Sequence, residues 1–159
     1  MGIAPINHSK PTLLPDNFVV ALMLGTLVGS IQLAALSLAA ALVPALSQGG
    51  FGEALSVGAP LAMIFFLFSL PVWASGLIAI GVPGWIALHA LGWRSRSAGA
   101  AFGGVATFGV SLILGLRLNP SMADKPWGLI PLAGVLALMG AVVGWTVAAT
   151  AYAPDEVVR

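Results

Sequence analysis

Apolar residues fill four long stretches of this chain, and charged residues fall only between and outside them. No Asp, Glu, Lys or Arg occurs between Asp16 and Glu53, between Glu53 and Arg94, between Arg96 and Arg117, or between Lys125 and Asp155. Each gap holds a mostly apolar run of about 18 residues or more. That is the length a helix needs to cross roughly 30 Å of hydrocarbon at about 1.5 Å per residue. The pattern predicts an all-α integral membrane protein, an antiparallel four-transmembrane-helix bundle with short loops. The expected spans are roughly 18–43, 57–82, 98–116 and 127–150. Residues 1–17 read as an extramembrane arm and 151–159 as a polar tail.

The flanks refine these spans. Asp16 and Asn17 are good N-caps for the first run, which is longer than the apolar core of a signal peptide, so a retained helix is expected. The second run carries Pro60, Pro71 and Pro83. Each proline removes a backbone donor and crowds the carbonyl four residues earlier, which predicts a kink at Pro71 and a bend at Pro83. Ser69 and Ser75 are placed to satisfy freed backbone groups near the kink. A seven-residue loop, Ser47 to Glu53, is expected between the first two spans.

Composition agrees with the pattern. Only 7% of residues are charged and 59% are hydrophobic, against about 25% charged in a soluble domain. So few charges cannot cover a water-soluble surface. The formal charge of +1 gives no basic tail for nucleic acid, and the zero cysteines exclude disulfides and thiolate metal sites. Lys10, Arg94, Arg96 and Arg159 fall on one predicted side, with Arg117 and Lys125 on the other. The positive-inside rule then puts both termini in the cytoplasm. A bacterial cytoplasmic (inner) membrane is the expected location. Trp85, Trp93, Trp127 and Tyr152 lie near span ends, where aromatic and basic residues anchor a protein at the interface. Trp85, Trp93, Arg94, Arg96, Arg117 and Trp127 are the anchors expected here.

Small residues recur at helical spacing. Gly25 and Gly29, Gly99 and Gly103, and Gly140 and Gly144 form three small-xxx-small pairs, with Gly104, Thr107 and Ser111 extending the ridge of the third span. In lipid, helices associate through close backbone approach at such residues. Three pairs suffice to pack one bundle, and they leave open an external seam for a second copy or another protein. Gln32, one turn beyond Gly29, is a candidate for a hydrogen bond between helices or for a polar ligand. His89, between Trp85 and Trp93, is a candidate ligand for a tetrapyrrole metal as well as an ordinary interfacial residue. An ion pair of Glu53 with Arg117 or Lys125 would tie the two outer loops together.

No ionisable residue lies deep in any predicted span, which removes the usual mark of a proton-coupled transporter or ion pathway. No nucleophile elbow, zinc-binding helix motif or phosphate-cradling loop is present. Enzyme activity is therefore not expected. Two functional expectations follow, both with the lipid bilayer as the immediate partner. One is a non-catalytic accessory subunit that packs its small-residue faces against other membrane subunits. The alternative is a small homo-oligomeric channel or carrier for neutral or lipophilic molecules, with a polar track through Gln32, Ser69, Ser75, Thr107 and Ser111.

Overall fold

The structure is a computed structural model that describes residues 17–48, 50–120 and 126–152. Among these residues all regular structure is helical: α1 (Phe18–Gln48), α2 (Phe51–Gly76), α3 (Val82–Ala90), α4 (Arg96–Leu118) and α5 (Ile130–Ala151). A π-helical turn, Leu77–Gly81, joins α2 to α3, and a short 3-10 turn, Pro126–Gly128, precedes α5. Four helices are long and apolar enough to cross a membrane, the second being the continuous 40-residue run from Phe51 to Ala90. Asp16 lies outside the described residues, as do Lys10, Asp124, Lys125 and the tail from Ala153.

One expectation about the helices needs correction. The loop between the first two spans is shorter than expected, because α1 continues through Pro44 to Gln48 and α2 begins at Phe51. The second run stays α-helical through Pro60 and Pro71. Its hydrogen bonding changes instead at Leu77–Gly81, just before Pro83, where the Val82 N–H donates to the Leu77 carbonyl five residues back. Pro83 has no N–H for the Ala79 carbonyl and its ring crowds that turn, and the wider π turn gives it room. The hydroxyls of Ser69 and Ser75 donate to the carbonyls of Phe66 and Val72. Neither reaches the Leu67 carbonyl that Pro71 leaves without its usual donor.

The helix ends follow from local chemistry. At the end of α3 the chain turns at Gly92, with φ of 76°, a left-handed conformation that suits glycine. The Gly92 N–H donates to the His89 carbonyl and the Trp93 N–H to the Leu88 carbonyl, the paired bonds of a Schellman stop. Ser95 then caps α4, its side chain accepting from the Ala98 N–H at 3.1 Å. Pro131 in the first turn of α5 lacks a donor that would have no partner there.

The helices pack in the order α2, α1, α5, α4, and α2 makes little contact with α4. The tightest seam joins α4 to α5. A β-carbon at Gly99 would stand 2.6 Å from Ala148 Cβ, one at Gly103 would strike the Gly140 carbonyl oxygen, and one at Gly140 would strike the Thr107 hydroxyl. Partners fall in number along α5 as positions rise along α4. On α1, a β-carbon at Gly25 would stand 2.6 Å from a methyl of Val147, and one at Gly29 would stand 2.5 Å from the Trp73 indole. Ala21, Trp85, Val143, Val147 and Ala151 form the buried core around these crossings.

The outside of the molecule is as apolar as its inside. Phe68 is 73% exposed, Val105 74% and Leu138 71%. Outward-facing bulk and inward-facing glycine is the distribution expected when lipid is the surrounding solvent, because burial of large apolar side chains then brings no gain over contact with acyl chains.

Candidate functional site

Because α2 and α4 do not close on each other, the four helices leave a partly open cavity of about 290 Å³ between them. Its walls come from Val72, Trp73 and Leu77 on the α2 side, from Trp85 and Leu88 of α3, and from the glycine-bearing faces of α4 and α5. The lining on α4 runs from Gly99 to Leu114, about 22 Å along the helix. Gly76, Gly81, Gly99, Gly103, Gly140 and Gly144 all border the cavity. Among the described residues Thr107 and Ser111 bring hydroxyl side chains to this largely apolar wall. The ring of Phe102 lies directly over Gly84, the point at which α3 and α4 meet beside the cavity.

An aromatic cluster flanks the cavity at Trp85. Phe18 stacks on Trp85 with ring centroids 4.8 Å apart, and Trp85 meets Tyr152 edge to face at 5.5 Å. The Trp85 Nε1–H donates to the Tyr152 hydroxyl at 2.8 Å, and His89 Nδ1 lies 3.2 Å from the same oxygen. The phenol after α5 thus holds two side chains of α3, and Trp85 in turn stacks on Phe18 at the start of α1. Replacing Tyr152 with Phe leaves the indole N–H without its partner in a buried setting. The expected loss is about 1–3 kcal/mol of stability, read from denaturant unfolding in detergent, with Trp93→Phe as the unaffected control.

The sequence-derived candidates divide as follows. Gly25, Gly29, Gly99, Gly103, Gly104, Gly140 and Gly144 all lie in seams within this one chain. Among the described residues the buried Gln32 Oε1 meets no hydrogen-bond partner. Ser111 lines the cavity with Thr107, whereas Gln32, Ser69 and Ser75 are not part of its lining. Trp93 and Trp127 are 61% and 78% exposed, as interfacial anchors would be, but Trp85 is only 8% exposed and belongs to the core. Its correction follows from Phe18, which stacks on the indole, and from Tyr152, which meets it at 70° and accepts its N–H.

Arg94, Arg96 and Arg117 are exposed at helix ends, and Arg96 sits over the Trp145 ring at 5.7 Å. Among the described residues Glu53 makes no ion pair with Arg117; its proposed partner Lys125 lies outside them. His89 is engaged by Tyr152 rather than isolated. The aromatic cluster escaped the sequence reading because Phe18, Trp85 and Tyr152 are far apart along the chain, Trp85 and Tyr152 alone by 67 residues, and only their shared position near span ends hinted at proximity.

The described part of the chain thus has four helices long and apolar enough to cross a membrane, with a partly open apolar cavity among them. No protein family, curated protein or solved structure matches it, so its geometry alone carries the functional argument.

Proposed function

We propose that this protein is a non-catalytic membrane protein that binds or carries a lipophilic molecule in the cavity between α2–α3 and α4. The cavity itself carries this reading. It is apolar and bordered by glycines, and it lies beside a pair of helices that barely touch, an arrangement that gives a hydrophobic molecule lateral access from lipid. The reading includes an antiparallel four-helix bundle, inserted in a bacterial cytoplasmic membrane with both termini on the cytoplasmic side. Irregular or small-residue backbone at membrane depth is tolerated where it borders such a space, which suits the π turn and its flanking Gly76 and Gly81.

Ala106 tests the proposal, since its side chain borders the cavity. Native mass spectrometry of gently solubilised protein should show a lipophilic adduct near one per chain. Ala106→Trp fills the space and should lower its occupancy by roughly tenfold, the equivalent of about 1.4 kcal/mol. Equal occupancy in both proteins counts against the reading.

An accessory-subunit role is the second reading, favoured by Gly109 and Gly134, at which an added β-carbon would meet nothing within 4 Å. A partner helix can approach closely there. Its signature is a particle of fixed composition containing other subunits after mild solubilisation.

A further inference from the structure

Resting on the lipophile-binding reading, we propose that the molecule held is an acidic phospholipid, with an acyl chain in the cavity and its phosphate at Arg94. The chemistry of the cavity changes sharply at one end. Gly99, Phe102 and Leu88 border the apolar space, while Trp93, Arg94, Ser95, Ser97 and Ala98 line a second, open hollow at the start of α4. Ser95 and Ala98 stand one turn before Gly99 and Phe102 on the same face of α4, so a single amphiphile lying along that face would place its chain in the cavity and its headgroup at the open hollow.

Charge selects the headgroup. Arg94 is exposed and Arg96 begins α4 one turn before the cavity wall, and neither pairs with an acidic side chain among the described residues. Arg96 is held over Trp145, which leaves Arg94 as the freer cation. Guanidinium binds phosphate through two parallel hydrogen bonds, and the side chain of Ser97 adds a hydroxyl at the same rim. Trp93, 61% exposed beside it, has the placement of an interfacial aromatic. Length fits as well. The cavity follows α4 for about 22 Å, beyond the roughly 15 Å half-thickness of the hydrocarbon, enough for one acyl chain starting at the headgroup level. A neutral hydrophobe would use the cavity and gain nothing from Arg94.

The test is native mass spectrometry of the full-length protein with phosphatidylglycerol or phosphatidylcholine carrying identical acyl chains. Wild type should retain phosphatidylglycerol preferentially. Arg94→Gln should reduce its retention about fivefold, toward the phosphatidylcholine level, and Arg94→Lys should restore part of the preference. Ala106→Trp should lower retention of both lipids. Equal retention of both lipids by wild type, or no effect of Arg94→Gln, overturns the headgroup assignment, and sensitivity to Ala106→Trp would still uphold the cavity. Insensitivity to Ala106→Trp as well would overturn both. If Asp155 and Glu156 of the same chain occupy Arg94, a preference would appear only in the Asp155→Asn/Glu156→Gln variant, and the proposal would fail.

Discussion

Replacing Gly103 with Leu is expected to separate α4 from α5 and to cost on the order of 3 kcal/mol or more. The β-carbon alone would strike the Gly140 carbonyl oxygen and approach the Gly144 Cα at 3.1 Å. Both obstacles are backbone, so no side-chain rotation relieves them and one helix must move. Insertion of extra carbons into a close-packed site costs about 1–3 kcal/mol when neighbours can yield, and more when they cannot. The gain in helix propensity on replacing glycine, about 1 kcal/mol at most, is too small to offset it. Unfolding in mixed detergent micelles reads the effect. Gly109→Leu, on the same helix but facing open space, should stay within about 0.5 kcal/mol of wild type or gain slightly. Similar destabilisation by both variants would show that helix propensity, rather than the seam, sets the outcome. It follows that Gly103 and Gly144 substitutions cannot serve as clean probes of an external partner, because they break the chain's own packing first.

Gly29→Leu is expected to have the second largest effect, and one that a second substitution relieves. A β-carbon there would lie 2.5 Å from Trp73 Cδ2 and 2.9 Å from its Cγ. Because Cγ lies on the axis of the Cβ–Cγ bond, turning the ring about that bond does not clear the clash, and the indole must leave its χ1 rotamer or the helix must move. The expected loss is about 2–3 kcal/mol, with α1 forced away from α2. Trp73→Ala alone should also destabilise by a similar amount, through lost contacts. Combined, the two should cost less than their sum by at least about 1 kcal/mol, since the added leucine fills the space the indole vacates. Strict additivity in the double-mutant cycle would mean that Gly29 and Trp73 do not meet. Trp73 also borders the cavity, so the same variants should alter lipophile occupancy.

Much of the helical content was legible in the sequence. The gaps between Asp16, Glu53, Arg94, Arg117 and Asp155 mark four apolar runs because a charged side chain is costly in hydrocarbon. The small-residue spacing also pointed to the right faces: Gly99, Gly103, Gly140 and Gly144 lie in one seam. Less legible was where the second run would depart from α-helix. Three prolines compete for that role, and each is compatible with a continued helix when its surroundings adapt. The result was a π turn ahead of Pro83 with α2 unbroken at Pro71. Trp85 was misplaced for a related reason. An aromatic residue at a span end can face lipid headgroups or a neighbouring helix, and its covering partners Phe18 and Tyr152 lie at opposite ends of the described chain.

The sequence by itself determined that the chain forms long apolar helices and which of their faces are bare of side chains. Both follow from local properties: charge spacing fixes the length of apolar runs, and residue size at helical spacing fixes the close-approach surfaces. Tertiary structure alone decided how those surfaces were shared. Gly99 and Gly103 pair with Gly140 and Gly144, Gly29 receives Trp73, and the bordering faces of α2 and α4 are left apart. The physical reason is that small residues allow approach from any helix in lipid with little hydrophobic force to choose among them. The choice rests on the fit of whole side-chain surfaces, and the space left by that fit is the cavity.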